Sequence, residues 1–203
     1  MCKGLFIAAL LFLLPVRAAA QEAPNAELFG GYSFIHKEDG GNLHGWNFAV
    51  NGNLNKWFGL VADFSGHYDS SLSRFRTNMP AFPTFPIFSS EFKSEERIHT
   101  AMAGPRFSYR EREKITPFVH TLFGVARIND ERESIINDTD RSFFSDNRTE
   151  FAFALGGGLD VKLSNSIALR VIQADYLVSR LNFGSDDNNL RASIGVVFRF
   201  GNK

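Results

Sequence analysis

Large apolar side chains recur at every second position along most of this chain, the repeat of a β-strand rather than of a helix. Two segments show it best. In residues 151–161, Phe151, Phe153, Leu155, Leu159 and Val161 share one parity, while Ala152, Ala154, Gly156, Gly158 and Asp160 take the other. In residues 191–200, Ala192, Ile194, Val196, Phe198 and Phe200 alternate with Arg191, Ser193, Gly195, Val197 and Arg199. Six further segments follow the rule less cleanly: residues 27–35, 45–53, 57–68, 97–109, 116–128 and 166–180. In the second of these Trp46, Phe48 and Val50 alternate with Asn47, Ala49 and Asn51. In the third Leu60, Ala62 and Phe64 alternate with Val61, Asp63 and Ser65. In residues 166–180, Arg170 and Asp175 have opposite parity, so either one points outward or a β-bulge lies between them. Pro105 and Pro117 fall near strand ends, where a missing N–H is tolerated.

The two faces are unequal in an informative way. One is bulky and apolar; the other is mostly Gly, Ala and Ser with isolated charges. A soluble sandwich buries large residues and exposes charge. Bulky residues facing lipid, with small ones crowding a narrow interior, describe a transmembrane barrel. The connections agree. Residues 36–44, 69–96, 129–148 and 181–190 form the medium and long ones, and 54–56, 110–115 and 162–165 the short ones. Alternating long and short connections, with an even strand number, match an up-and-down barrel with both ends in the periplasm. Segment lengths also fit the ~9–11 residues of a tilted membrane strand. The predicted fold is all-β, an eight-stranded antiparallel up-and-down transmembrane β-barrel.

Composition sharpens this. The chain of 203 residues holds 22 Phe against 4 Tyr and 2 Trp, far more Phe than a soluble domain needs. Lys+Arg 22 balances Asp+Glu 22, which argues against a nucleic-acid partner. Lys3, the apolar run 4–14 and Ala18-Ala19-Ala20 read as a secretion signal over residues 1–20, leaving 21–203 as the barrel domain. The run is too short for a permanent membrane helix, and no later run approaches that length. Cys2 is the single cysteine and leaves with the signal, so no disulfide or thiol chemistry is expected. The expected location is the outer membrane of a Gram-negative bacterium.

Leu28-Phe29-Gly30-Gly31-Tyr32-Ser33, Ala103-Gly104-Pro105-Arg106-Phe107 and Gly156-Gly157-Gly158-Leu159-Asp160 form an ordered series. Leu169-Arg170, Ala174-Asp175-Tyr176 and the Phe-rich last segment complete it. On these fragments the chain resembles the OmpA-type family of eight-stranded outer-membrane β-barrels, in its short form without a C-terminal domain. The resemblance implies a membrane-embedded barrel rather than a reaction. It also implies a last strand, ending at Phe200, that the barrel-assembly machinery reads.

Several constellations carry candidate chemistry. Asp63, Arg106, Asp160, Arg170, Arg191 and Arg199 fall on the inner face, with Asp175 less certainly assigned. They form either a plug of ion pairs or the lining of a gated channel. His36, His44, His67, His99 and His120 show no HxH or HxxxH spacing, so they read as rim or surface residues, with no metal and no cofactor. His67, Asp69, Ser70 and Ser71 would be the grouping for a lipid-modifying hydrolase, but no nucleophile motif frames these serines and no catalytic residue is assigned. The Gly156–Gly158 run lacks the Lys-Ser/Thr and helix of a phosphate cradle. Phe82, Phe85 and Phe88 repeat every third residue among three prolines, an aromatic stripe suited to an extracellular ligand or host surface. Tyr32, Trp46, Trp57, Tyr68, Tyr109 and Tyr176 are the candidates for membrane-interface girdles. The resulting expectation is a monomer in outer-membrane lipid with a structural or adhesin-like role through its outer loops. A small channel and a lipid-modifying hydrolase remain the alternatives.

Overall fold

The computed structural model describes residues 23–38, 41–77, 88–112, 114–136, 140–181 and 185–201. The expected signal over residues 1–20 lies outside them, as do Phe82 and Phe85. Phe88 opens a strand, but its side chain is likewise outside what is described.

The period-two segments form eight strands: β1 (Ala26–Lys37), β2 (Asn42–Asn53), β3 (Phe58–Thr77), β4 (Phe88–Ser108), β5 (Ile115–Ile136), β6 (Asp140–Lys162), β7 (Ile167–Leu181) and β8 (Ser185–Phe200). Each pairs antiparallel with its sequence neighbour, and β1 also pairs with β8, so the sheet closes into a barrel. Closure satisfies every strand edge, which is what allows backbone to cross hydrocarbon. Asn55 and Ser164 fix two of the short turns. The Asn55 side chain accepts from the Trp57 and Phe58 amides at 2.9 and 2.8 Å, and Ser164 Oγ accepts from the Ser166 and Ile167 amides.

The parity of each strand decides what faces out. Phe48, Val50, Leu60, Phe64, Val119, Phe123, Leu155, Val196 and Phe198 are exposed, whereas Ala49, Val61, Leu122, Ala152, Ala154 and Val197 are buried. The outer face is apolar only over a band. On β5 it ends at Val125, with Arg127 next on the same face, and on β6 at Phe151, with Thr149 next. Trp57 and Tyr109 lie at the end of the short turns. Tyr32, Trp46, Tyr68 and Tyr176 lie towards the other end, and all six are exposed.

Three features differ from the sequence-based reading. First, the long connections are mostly strand. Residues 69–77 pair with 88–96, and 129–136 with 140–147, so β3 to β6 run to 20, 21, 22 and 23 residues. These stretches carry polar and charged residues at both parities with only scattered Leu, Ile and Phe, so the period-two pattern is lost and they read as loop. Second, both members of the Arg170–Asp175 pair point inward, because the register shifts between Arg170 and Gln173 and again at Leu159/Asp160. Val171 and Ile172 consecutively face out across this bulge. Third, the interior is not filled by small residues and charges alone, since Phe29 and Phe118 are buried in it.

Candidate functional site

The barrel interior is occupied by one continuous network of ion pairs and hydrogen bonds. Its centre is Arg191, which has no exposed surface. Its Nε and Nη2 donate to Asp175 Oδ2 at 2.9 and 2.7 Å, and Nη1 donates to Asp63 Oδ1 at 2.8 Å. Asp63 Oδ2 accepts from Asn47 Nδ2 at 2.9 Å. Asp175 also meets His120 Nε2 at 2.7 Å and accepts from Gln173 Nε2 at 2.8 Å. Gln173 Oε1 accepts from Arg170 Nη1 at 2.7 Å, and Arg170 grips both oxygens of Asp160 at 2.8 and 3.2 Å. Arg106 Nη2 donates to the same Asp160 at 2.9 Å. Arg106 Nη1 lies 3.7 Å from Glu27, and Arg110 Nη2 and Arg199 Nε lie 3.2 and 3.4 Å from it. The chain of partners thus runs from Asn47 to Arg199 through the barrel.

Sign balance makes this interior tenable. Glu27, Asp63, Asp160 and Asp175 face Arg106, Arg170, Arg191 and Arg199, with Arg110 also reaching Glu27 from the short-turn end. Buried charges are costly unless paired and fully hydrogen-bonded. The two inward aromatics contribute as well. The Arg106 guanidinium lies 3.8 Å from the Phe118 ring centroid, and that of Arg170 lies 4.2 Å from Phe29 and 4.4 Å from Phe118. The Gly156–Gly158 run makes room for these groups. A Cβ at Gly156 would overlap the Asp175 carboxylate, and one at Gly158 would come within 2.7 Å of the Phe118 ring.

Towards the long hairpins the lining changes. His67 Nε2 meets Ser33 Oγ at 2.8 Å, Ser33 meets Ser193 at 2.9 Å, and Ser65 meets Thr100 at 2.7 Å. Beyond them Ile35, Leu43, Ile98, Ala126, Ile128 and Leu177 are buried within the apolar cluster. Ile98, Ala126, Ile128 and Leu177 also line a cavity of about 220 Å³ with Glu96, Asp130, Arg132, Arg148 and Lys37. The order along β4 and β5 puts the apolar residues on the barrel side and the charged ones towards the hairpin tips. The charged lining is itself paired: Lys37 with Glu96 at 2.9 Å, Arg132 with Asp130 at 2.8 Å, Arg148 with Glu150 at 3.2 Å.

All six inner-face charges read from the sequence are buried in this network. Sequence reasoning missed Glu27, His120, Gln173 and Asn51, whose Nδ2 donates to Glu27 Oε2 at 3.1 Å. Glu27 shares the parity of Phe29 and Ser33, which would have placed it inside. His120 was hidden because both faces of β5 carry bulky residues. His67 and His120 are therefore lumen residues, not rim or surface ones. The His67–Ser70–Ser71 grouping is not brought together: His67 turns inward to Ser33, while Ser70 and Ser71 are exposed on the β3 extension. Among the described residues no group of His, Cys, Asp or Glu could hold a metal ion.

A second feature lies on the projecting β3–β6 sheet. Phe143 and Phe144 are 74% and 61% exposed, the most exposed aromatics among the described residues. With Lys93, Glu95, Glu131, Arg132, Glu133 and Ser145 they border a cavity of about 250 Å³. Hydrogen bonds from Lys93 and Arg97 hold the Glu95 carboxyl below its usual range.

A closed ring with a lipid-type exterior and an ion-paired interior defines an eight-stranded outer-membrane β-barrel. Residues 6–200 match the family model described as outer membrane protein beta-barrel domain, and the chain belongs to that family. It resides in the bacterial outer membrane, in contact with the membrane lipid. Among solved structures it resembles Ail, the attachment invasion locus protein of Yersinia pestis, in complex with the heparin analogue sucrose octasulfate. Identity there is 19%, with 86% of this chain and 97% of that chain covered and a TM-score of 0.53. A second Ail structure gives 17% identity, 89% and 100% coverage and a TM-score of 0.50. Neisserial surface protein A gives 11% identity, 86% and 96% coverage and a TM-score of 0.49. At these identities the likeness is one of fold. No curated protein matches the sequence.

Proposed function

We propose that this barrel is a monomeric, non-conducting, non-enzymatic scaffold that carries a surface-interaction sheet out of the membrane. The short-turn end faces the periplasm and the β3–β6 extension faces the cell exterior, the usual disposition of turns and loops in such barrels. The observation that carries the reading is the uninterrupted network around Arg191, capped by the apolar layer at Ile98, Ile128 and Leu177. A lumen filled in this way favours no ion path, and Ser33, which meets His67 at 2.8 Å, is fully buried. Besides the stripe expected at Phe82, Phe85 and Phe88, Phe143 and Phe144 present an exposed aromatic surface on the extension. Set among charges of both signs, Lys93 and Arg132 beside Glu95, Glu131 and Glu133, they suit a partner segment that combines apolar and charged side chains. Ail has been crystallised with the heparin analogue sucrose octasulfate; the mixed charge beside Phe143 and Phe144 does not favour a polyanion of that kind. The barrel-assembly machinery, reading β8, would insert the chain.

The test is cell adhesion. Bacteria displaying the protein are compared with those displaying the F143S/F144S double variant, both checked for equal folded barrel in the outer membrane. The proposal expects adhesion to host cells or matrix with the former and control-level adhesion with the latter. Equal adhesion of both would remove Phe143 and Phe144 from the surface.

A further inference from the structure

The sheet that rises above the barrel has open edges. Pairing of β1 with β8 closes the ring, but the closure stops at the rim. β6 meets β7 only from Phe151, opposite Arg180, towards the short turns, and β7 ends at Leu181. Beyond that point residues 140–150 pair with β5 and, among the described residues, with no strand on their other side. β3 stands in the same position. Its pairing with β2 ends at Tyr68, opposite His44, and residues 69–77 pair only with β4. In an antiparallel ladder every second residue turns its N–H and C=O away from the partner strand. Each open edge therefore presents a row of backbone donors and acceptors to the surroundings.

The two edges are unequal. Edge strands are commonly blunted by proline, bulges, lysine or short length. Residues 140–149 contain no proline and no lysine, and their register with β5 runs without a shift. At a strand rise of about 3.3 Å per residue this edge is roughly 30 Å long. Residues 141–145, 147 and 149 are exposed along it. Asp146 and Arg148 lie 3.5 Å apart and balance each other. Phe143 and Phe144 are consecutive, so they stand on opposite faces of the strand and offer an apolar contact on each side of whatever pairs there. On the β3 edge the exposed residues 70–73 have only Leu72 in that role.

A second barrel is a poor occupant. β6 is a single strand from barrel wall to open edge. Facing side chains hold two sheets about 10 Å apart, whereas strand pairing needs about 4.8 Å. A free extended segment meets no such obstacle. We infer that the open edge of β6 takes up an extended segment of a partner protein as an added antiparallel strand, with two consecutive apolar residues of that segment opposite Phe144 and Phe143. Backbone bonds to residues 140–149 supply affinity, and the apolar pair sets the register. Strand addition rests on the surface-interaction role proposed above and gives its mode of contact.

The probe is a short fluorescent peptide of alternating Thr and Ser with Val-Val at its centre. It is titrated against the full-length protein folded in nanodiscs and followed by anisotropy. Saturable binding is expected, and the F143S/F144S change should weaken it about tenfold. Methylating the peptide amides at every second residue removes the donors of one peptide edge. Methylation of one parity should abolish binding and of the other should leave it, because one set alone faces β6. Equal effects of the two methylated peptides, or no binding at about 1 mM peptide, would overturn strand addition. So would a detergent-solubilised dimer that the F143S/F144S change dissolves, since the edge would then belong to a second copy. Adhesion and peptide pairing fail separately. An adhesive protein that ignores the peptide keeps the surface and loses the added strand. A protein that pairs with the peptide in one parity but does not adhere keeps the added strand and loses the adhesive role.

Discussion

Arg191 is the residue on which the interior turns, because among the described residues it alone joins Asp63 to Asp175. Removing one partner of a buried pair costs about 3–5 kcal/mol, since the remaining charge stays buried. Arg191→Met should therefore lower the urea midpoint of the refolded barrel strongly. Adding Asp63→Asn and Asp175→Asn to it should restore much of the loss, whereas a further loss would show that these carboxylates are not its partners. Glycine gives a second contrast. Gly156→Ala drives a methyl into the Asp175 carboxylate, while Gly52→Ala enters open space. The first should reduce the yield of heat-modifiable folded barrel and the second should not. Parity alone placed Asp63, Arg106, Asp160, Arg170, Arg191 and Arg199 inside. It could not show who meets whom, because pairing across a barrel depends on register and stagger, which one strand's sequence does not carry.

At the level of elements, the membrane portions were legible because lipid imposes alternation on the strands crossing it. The extensions of β3 to β6 were not, because water on both faces imposes none. What continues those strands is cross-strand pairing and local ion pairs, such as Lys93–Glu95 and Arg97–Glu95. The bulge in β7 was visible only as a parity conflict, and the structure resolves it by turning both Val171 and Ile172 outward. The two regimes predict different tolerance along one strand. On β6, Leu155→Arg puts a charge in the apolar band and should cost about 2–4 kcal/mol. Ser145→Arg, on the exposed extension, should stay within about 0.5 kcal/mol. Urea unfolding in vesicles distinguishes them, and equal costs would place the band boundary wrongly.

The whole molecule is a ring without an edge, tied shut between β1 and β8 and filled along its axis. Filling and closure together predict no stepwise conductance when the protein is inserted in a planar bilayer. Steady channels at neutral pH would mean that the Arg191 network opens. The most direct measurement of the architecture scans single cysteines along β6 and β8 in a protein whose sequence otherwise has only Cys2. Each carries an environment-sensitive fluorophore or spin label, read with one lipid-soluble and one water-soluble quencher. Positions 153, 155, 196 and 198 should respond to the lipid-soluble quencher, and positions 152, 154 and 197 to neither. The reverse alternation, with the first set shielded and the second reached from water, would contradict a barrel that turns its bulky face to hydrocarbon.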